Sequence, residues 1–430
     1  MKTVLAFLTM WMSGAAVATT ADDVARATAA VEADVIAWRR DIHQHPELSN
    51  RETRTAALVA EHLRSLGMDV ETGVAHTGVV GVLRGGLPGG VVALRADMDA
   101  LPVTEQTGLA FASTVTDQYL GQPVGVMHAC GHDTHVAILM GTASVLASMR
   151  ASIPGTVKFI FQPAEEGAPP GEDGGAGMMV REGVLDNPKV DAIFGLHAMQ
   201  SGTTGQVSLK PLGAMASADR YELVITGRQT HGAMPWAGVD PIVVGAQIVT
   251  AFQSIVSRNV DITAAPAIVT VGTFNAGVRN NIIPDSATLT GTIRTFDPQV
   301  QKFIHARMRS IAQGIAQGMG AAAVLDIVEA TPVTFNDAAL TQRMRPTLVR
   351  VFGETNVLDS PLITGAEDFA YYQQQVPGLF FFLGVRPVSV AAAKAVPNHS
   401  PFFDADEAAL AGGVRAMANL ALDYLSMSDR

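Results

Sequence analysis

The feature that most constrains the fold is a repeated pattern in which an apolar, strand-like run leads into charged or metal-ligating side chains. Four such runs, at residues 91–94, 155–161, 192–196 and 378–384, are separated by helical segments. In an open α/β sheet the carboxyl ends of the strands share one edge, where ligands bind. The pattern therefore predicts an α/β fold with a mainly parallel sheet flanked by helices, and a site at that edge.

The length of the chain predicts more than one domain, because 430 residues exceed the size of an ordinary single core. Between residues 212 and 328 the pattern changes to strand, helix, strand, strand, helix, which is typical of a small α/β sandwich. We therefore expect one larger domain formed by residues 19–211 and 329–430, with the sandwich of residues 212–328 inserted into it.

Residues 1–18 have the pattern of a secretory signal peptide. Lys2 gives a basic start, residues 4–12 are apolar apart from Thr9, and Ala16 and Ala18 are small residues at the positions that a signal peptidase recognises. An uncleaved membrane anchor is the alternative, but the apolar run is well short of the ~20 residues needed to span a bilayer. We expect cleavage after Ala18 and a secreted or periplasmic protein with no membrane contact after cleavage.

Composition and charge narrow the classes of partner. With 48% apolar residues and 6% aromatic residues, the chain has a globular composition. The formal net charge of −11 argues against nucleic acid or an anionic membrane surface as a partner. A small anionic substrate remains compatible with this balance because it responds to local charge.

The densest group of chemically active side chains lies in residues 127–135, which contain the single cysteine and three of the eleven histidines. Cys130 and His132 are separated by one residue, so that both can converge on one metal ion as thiolate and imidazole ligands. The alternative is a buried free cysteine beside the start of a helix. A redox role is disfavoured because no second cysteine is present to resolve an oxidised Cys130.

Carboxylates follow two of the apolar runs. Asp97 and Asp99 come directly after residues 91–94, and they are costly to bury unless they serve a metal, a ligand or the orientation of one. In the pair Glu165 and Glu166, one carboxylate can bind metal while its neighbour takes a proton from water. With four further side chains this pair provides five potential ligands and one base, which suits a hydrolytic site with two metal ions. Those four are Cys130, His132, His197 and His399.

Six segments carry a resemblance to a known family, and they occur in the family's order. They are residues 95–102, 127–133, 163–167, 195–197, 365–369 and 399–401. The chain resembles peptidase family M20, the dinuclear metallopeptidases that include aminoacylases and carboxypeptidases. It is most similar to the amidohydrolase branch, which includes hippurate hydrolases, N-acyl-amino-acid hydrolases and plant auxin-conjugate hydrolases. The resemblance covers nearly everything after the signal segment.

The resemblance implies two divalent metal ions per chain and Glu165 as the general base. Thiolate and imidazole ligands favour zinc, while manganese and cobalt are also compatible with the set. Asp99 and Asp133 are implied to orient ligands, although capping of the following helix is the alternative for Asp133. Glu367 is implied to lie near the metals. The implied metal ligands are Cys130, His132, Glu166, His197 and His399.

The inserted sandwich resembles the family's lid or dimerisation domain. The resemblance implies that His231 reaches a neighbouring active site and stabilises the oxyanion, and hence that the protein is a homodimer or higher homo-oligomer. Asn281 and Arg294 are implied to contact the substrate, because a guanidinium can bind an α-carboxylate through two hydrogen bonds. From the sequence alone, Arg294 fits a surface strand position with a salt bridge equally well.

Two departures from the family pattern concern specificity. Trp236 stands where many members have histidine, and it would either shape an aromatic pocket or, as the favoured interpretation, pack in the interior. The loop of residues 167–175 is longer than in short members. It would narrow the site or hold subunits together.

These expectations converge on a metal-dependent amidohydrolase that cleaves N-acyl amino acids, with an aromatic acyl group expected, or related amides such as ochratoxin A. The alternative is a dipeptidase or carboxypeptidase with the same metal chemistry. A binding protein that kept the fold without activity is disfavoured because Glu165 is present.

Overall fold

The computed structural model describes residues 20–427. The predicted signal peptide and its cleavage site after Ala18 lie outside the described residues. Within residues 20–427, no helix is long and apolar enough to cross a membrane.

Strands and helices alternate through most of the described chain. The strands are β1 (Asp69–Val74), β2 (Gly78–Arg84), β3 (Leu87–Asp97), β4 (Thr116–Tyr119), β5 (Gln122–Gly125), β6 (Pro154–Gln162), β7 (Ala192–Thr203), β8 (Val207–Leu209), β9 (Leu212–Met215), β10 (Ala218–Thr226), β11 (Thr230–His231), β12 (Ala267–Ala276), β13 (Ile282–Ile283), β14 (Ser286–Thr295), β15 (Ala322–Thr331), β16 (Thr334–Asn336), β17 (Val357–Asp359) and β18 (Gly378–Arg386). The α-helices are α1 (Ala21–Gln44), α2 (Thr53–Ser65), α3 (His132–Ser148), α4 (Gly175–Arg181), α5 (Pro241–Asn259), α6 (Pro298–Gly318), α7 (Ala338–Phe352), α8 (Ala370–Gln373) and α9 (Leu410–Ser426).

The largest sheet has eight strands in the order β1-β2-β6-β3-β7-β18-β8-β17. Its four central strands, β6, β3, β7 and β18, run parallel to one another. Antiparallel pairs flank them, namely β1 with β2, β2 with β6, and β18 with β8. Every residue of β18 is buried, as expected for a central strand covered on both faces. The predicted α/β fold with a mainly parallel sheet is confirmed.

Helices cover both faces of this sheet. The apolar core on one face includes residues from α1, α2, α3, α7 and α9, and the core on the other face includes residues from α4 and α8. Helix α3, which begins at the predicted metal-binding segment, is buried along nearly its whole length. A Cβ on Gly141 would lie 2.5 Å from Val35 of α1 and 3.0 Å from Val414 of α9. This glycine therefore lets α1, α3 and α9 approach one another closely.

Strand β7 is longer than the sequence indicated. Its expected end was at residue 196, but it continues to Thr203 because it remains paired with β18. His197 consequently lies inside a strand, opposite Phe382, and not in a loop after one. Hydrogen bonds between β7 and β18 therefore fix the backbone at His197, which would not be the case for a residue in a loop.

A second, antiparallel sheet has the strand order β12-β14-β10-β15. Helices α5 and α6 share its apolar core. The sequence predicted the strands and helices up to α6 but missed β15, an edge strand of this sheet in which none of the residues is fully buried. The predicted boundaries at residues 212 and 328 stay a prediction, although β15 runs past the second of them to Thr331. The segments before and after this sheet are hydrogen-bonded to each other as β9 and β16.

Candidate metal centre

The five predicted ligands lie together. Cys130 Sγ is 3.3 Å from His197 Nε2 and 3.3 Å from His399 Nε2. His399 Nε2 is 3.1 Å from Glu166 Oε1, which is 4.0 Å from His132 Nε2. Ligand atoms of Cys130, His132 and His197 all lie within 4.8 Å of one another, as do those of Cys130, Glu166 and His399. The two groups share Cys130, so the arrangement suits two adjacent cations.

The spacing of Cys130 and His132 depends on the glycine between them. Gly131 has a φ of 93° and precedes α3, so the chain turns there and His132 is the first residue of the helix. A Cβ on Gly131 would lie 3.2 Å from Ala198 and 3.3 Å from Phe403. Both the backbone conformation and the close packing therefore require glycine at this position.

His399 reaches the other ligands from a distant part of the chain through a strained backbone. Its φ is 68°, which is costly for a residue with a side chain. Its N–H donates to Ala129 O over 2.7 Å. The preceding Asn398 donates through Nδ2 to Cys130 O and to Ala198 O, both over 3.0 Å. Asn398 thus ties three ligand-bearing segments together, a role that the sequence analysis missed.

Second hydrogen bonds orient two of the imidazole rings. His197 Nδ1 donates to Ala198 O over 3.0 Å, and His132 Nδ1 donates to Asp99 O over 2.7 Å. In each ring the Nε2 atom is left to face the other ligands. Fixing one ring nitrogen in this way is how proteins set the tautomer and direction of a metal-binding histidine.

The donor set fits divalent cations. His132 Nε2 is buried without a hydrogen-bond partner among the described residues, which is costly unless something else occupies its lone pair. Burial would lower the pKa of His132, but the nearby Asp97 and Asp99 raise it to about 10, which shows how strongly negative its surroundings are. Burial also raises the pKa of the Cys130 thiol well above its usual range, and Glu166 adds to this. A cation would compensate this charge and allow a thiolate ligand.

Glu165 lies at the edge of the ligand group. Its Oε2 is 3.9 Å from His132 Nε2, and its side chain is 9% exposed. Oxygens of Glu165, Asp97 and Glu367 lie within 4.8 Å of one another. Burial raises the pKa of Glu165 well above its usual range, and Glu367 and Glu166 raise it further. A carboxylate in such surroundings takes up a proton readily, as a general base must.

Asp99 holds the two adjacent glutamates by their backbone. Its Oδ1 accepts the N–H of Glu165 and its Oδ2 the N–H of Glu166, each over 3.0 Å. Ser49 Oγ donates to the same carboxylate over 2.8 Å. Burial would raise the pKa of Asp99, but the hydrogen bond to His132 and these donors bring it below its usual value. Asp99 is placed to orient both His132 and the glutamate pair.

Glu52 extends this arrangement by one residue and was missed in the sequence. It is fully buried, and its Oε1 accepts the N–H of Ala164 over 2.9 Å. Ala164 has a φ of 52°, so this hydrogen bond helps to hold an unfavourable backbone directly before the glutamates. Burial and the neighbouring Asp99 raise the pKa of Glu52 to about 7. No residue spacing marked Glu52, because its partner lies 112 positions away.

Arg95 was also missed, although it stands two residues before Asp97. It is fully buried, and its guanidinium lies 2.6 Å from Asp97 Oδ2 and 3.0 Å from both Glu367 Oε1 and Asp368 Oδ1. One cation thus compensates three buried carboxylates beside the ligand group. The available signal was an arginine inside an apolar strand, where an unpaired charge would be very costly.

Asp133 does not do what either sequence interpretation expected. Arg39 Nε and His43 Nδ1 each donate to its Oδ2 over 2.9 Å, and no hydrogen bond joins it to a predicted ligand within residues 20–427. The alternative of a helix cap is wrong, because Gly131 is the N-cap of α3 and no side chain caps it. Burial would raise the pKa of Asp133, but Arg39 and His43 hold it well below its usual range. Asp133 ties α3 to α1.

His135 is near the ligands but is not free to join them. Its Nδ1 donates to Asp97 Oδ1 over 2.5 Å, and its Nε2 accepts the N–H of Ala198 over 2.7 Å. Both ring nitrogens are therefore used. Asp97 therefore accepts hydrogen bonds from both Arg95 and His135.

Of the three residues predicted in the inserted sandwich, His231 and Asn281 lie close together, whereas Arg294 lies at the far end of β14. His231 in β11 is exposed and pairs with Ile282 in β13, and Gly232 N–H donates to Asn281 O over 2.8 Å. Arg294 is half-buried in β14, opposite Ile268 of β12. Within residues 20–427, no hydrogen bond or ion pair joins His231, Asn281 or Arg294 to the five ligands.

The structure describes both features that depart from the family pattern, Trp236 and the loop of residues 167–175. Trp236 is 78% exposed, so the favoured interpretation of interior packing is wrong for the single chain. The long loop is fastened to its own chain, since Asn50 Nδ2 donates to Glu172 Oε2 over 3.1 Å and to Asp173 O over 2.9 Å. Arg51 also forms an ion pair with Glu172 at 2.5 Å.

We expect Asp99→Ala to weaken metal binding about 10 to 100-fold, because it frees the glutamate pair and removes an orienting carboxylate. Metal titration of the chelated protein measures this. Asp34→Ala, which removes an exposed carboxylate from α1, is the matched control and should bind metal normally. Unchanged affinity in Asp99→Ala would show that Asp99 only stabilises the loop.

Comparison with known proteins gives a consistent result. Residues 93–423 match peptidase family M20/M25/M40. The thermostable carboxypeptidase 1 of Saccharolobus solfataricus is 41% identical over 396 residues, which are 92% of this chain and 96% of that protein. The N-acetylcysteine deacetylase of Bacillus subtilis is 38% identical over 393 residues, 91% of this chain and 97% of that one.

A solved structure extends the likeness to the fold. The Bacillus subtilis YXEP protein, a dinuclear metal binding peptidase of the M20 family, is similar with a TM-score of 0.78 and 35% sequence identity. The match covers 93% of this chain and 99% of that one. It therefore includes both sheets and the ligand group.

Proposed function

Since the chain belongs to peptidase family M20/M25/M40, whose members are metal-dependent hydrolases, we propose that it cleaves the amide bond of N-acyl amino acids. The observation that carries the proposal is the arrangement at the metal centre. Two overlapping ligand groups share Cys130, and the half-buried Glu165 lies beside them without belonging to the five predicted ligands.

The side chains of this site have different roles in the proposed reaction. Divalent cations, when bound by the five predicted ligands, would polarise the amide carbonyl and make water easier to deprotonate. Glu165 accepts the proton of the water whose oxygen attacks the amide carbon. It then passes this proton to the nitrogen of the leaving amine as the C–N bond breaks. Asp99 keeps the backbone of Glu165 in place through both transfers.

The metal proposed for this site is zinc. One thiolate and three imidazoles are soft or intermediate donors, which zinc accepts in four-coordinate sites. The single glutamate ligand leaves manganese and cobalt as alternatives.

A second subunit completes the proposed site. His231 is exposed in the two-stranded sheet of β11 and β13, and within residues 20–427 no hydrogen bond or ion pair joins it to the ligand group of its own chain. We propose that in a homodimer this imidazole reaches the partner's site and stabilises the negative oxygen that forms on the amide carbon. Asn281, beside it in the structure, and Arg294 are proposed to bind the substrate, with the guanidinium on the α-carboxylate.

The expected result for His231→Ala is a loss of about 10²-fold in kcat with metal content unchanged. Mixing two inactive variants tests whether His231 acts in the site of the partner subunit. Homodimers of His231→Ala and of Glu165→Gln should each be nearly inactive. A hybrid dimer has one site with both groups intact, so an equimolar mixture should recover about a quarter of the wild-type rate after subunit exchange.

The mixing experiment has clear negative outcomes. If His231→Ala keeps full kcat, the histidine is structural. If the mixture recovers nothing although mass spectrometry shows that hybrids have formed, His231 acts within its own chain. Thr230→Ala removes the neighbouring polar side chain and serves as the control for damage to β11.

A carboxypeptidase is the second candidate, favoured by the 41% identity to the Saccharolobus solfataricus protein. The bond cleaved and the metal chemistry are the same, and only the group on the acyl side differs. A panel of N-benzoylglycine, N-acetylphenylalanine, ochratoxin A and an unblocked dipeptide separates the two. Preference for the dipeptide would overturn the N-acyl amino acid assignment while leaving the metal chemistry in place.

A further inference from the structure

A cavity of about 370 Å³ opens beside the metal centre. Glu166 forms part of its wall, so it is continuous with the ligand group. Its volume falls in the range of about 300 to 1,000 Å³ that is usual for small-molecule sites. Its apolar lining includes Leu48, Leu101, Pro102, Tyr119, Leu120 and Pro170.

One wall of the cavity is the tip of the β4–β5 hairpin. Leu120 and Gly121 connect the strands as a two-residue turn, and both have positive φ, 51° and 74°. Such turns normally carry asparagine or glycine, so leucine here is both strained and, at 67% exposure, poorly buried. Tyr119 beside it is 40% exposed. Two large apolar side chains in such positions do little for stability and are well placed to contact a ligand.

The charges around the cavity disfavour an anionic occupant. Among the described residues that line the cavity, Arg51 is the one basic side chain. Its guanidinium is already bound to Glu172, with Nη2 to Oε1 at 2.5 Å and Nη1 to Oε2 at 3.1 Å. Asp117 adds a negative charge to the same wall. Away from the metal ligands, the lining therefore offers a carboxylate no basic partner that is not already paired. An uncharged apolar group would instead bury surface against the leucines and prolines.

We propose that this cavity, the acyl pocket, receives the uncharged apolar or aromatic acyl group of the substrate, with Tyr119 and Leu120 as residues that determine specificity. The inference rests on the proposed hydrolysis of N-acyl amino acids and names the acyl class. It also gives the substrate a direction, since its carboxylate must lie on the other side of the scissile bond, away from the acyl pocket.

The test compares acyl groups on a constant amino acid. Acetyl-, hexanoyl-, benzoyl- and succinylglycine are assayed with the metal-loaded wild-type enzyme and with Leu120→Ala, Tyr119→Ala and Leu120→Lys. For the two alanine variants, kcat/KM for benzoyl- and hexanoylglycine should fall about tenfold, and that for acetylglycine only about twofold. Leu120→Lys should raise the ratio of succinyl to benzoyl hydrolysis at least tenfold, because it adds a cation to the pocket. Leu358→Ala removes an exposed leucine from β17, outside the pocket, and should change no ratio.

Every outcome of this experiment either supports or overturns the assignment of the acyl pocket. Equal losses for all four substrates, or no loss for benzoylglycine, would overturn it. The free acids give a readout that does not depend on turnover. Benzoate should bind the metal-loaded protein more tightly than acetate by calorimetry, and Leu120→Ala should weaken benzoate binding about tenfold. If no acylglycine is hydrolysed, the proposed function fails, while unchanged benzoate binding in Leu120→Ala would overturn the acyl pocket itself.

Discussion

Glu165→Gln is expected to keep its bound metal and to lose about 10³-fold in kcat/KM for N-benzoylglycine. The amide has the size of the carboxylate, and the backbone N–H of residue 165 would still be held by Asp99. What it lacks is the basic oxygen that takes a proton from water. Metal analysis of the purified variant, with kcat and KM measured on the same sample, gives both results.

The neighbouring residue provides the matched comparison. Glu166→Gln makes the same chemical change one position along, at a predicted ligand 3.1 Å from His399 Nε2. It should therefore lose metal as well as activity. Glu354→Gln, at an exposed site, should change neither. If Glu165→Gln remains fully active, or if it loses metal as Glu166→Gln does, the division of labour between the two glutamates is wrong.

Removal of the metal is expected to lower hydrolysis at least as much as Glu165→Gln does. Chelation should lower hydrolysis by more than 10³-fold, because the proposed reaction depends on the cations both for the carbonyl and for water. Zinc should restore activity, and manganese and cobalt are the alternatives to compare with it. About two metal ions per chain are expected at full activity.

A second measurement separates metal loss from damage to the fold. Metal that binds the folded chain stabilises it by mass action, so chelation should also lower Tm, and added metal should raise it again. Cys130→Ser should bind metal more weakly than the wild type, because serine cannot offer a thiolate. Activity that survives complete chelation would remove the proposed mechanism and leave the fold unaffected.

Much of the architecture could be predicted because it depends on local patterns. Strand β18 is buried throughout and contains the apolar run predicted at residues 378–384. Strand β15 was missed, although most of its residues are apolar, and its place at the edge of the second sheet follows from its pairing with β10. The continuation of β7 past His197 likewise follows from its partner, not from its own residues.

The sequence by itself predicted which side chains carry the chemistry, and the structure brings them close together. Cys130, His132, Glu165, Glu166, His197 and His399 stand out because thiolates, imidazoles and paired carboxylates have few other uses at the ends of apolar strands. The family resemblance rests on the same residues and is confirmed.

Only the tertiary structure decided how those side chains are held. Glu52 meets Ala164 across 112 positions, and Arg95 reaches Asp368 across 273. It also showed that Asp133 serves α1 and that Trp236 is exposed. The physical reason is the same in each case. A candidate metal ligand can be recognised in the sequence from the chemistry of its own side chain. A charged residue that orients a ligand acts only through its partner, and only the fold brings partners from distant parts of the chain together.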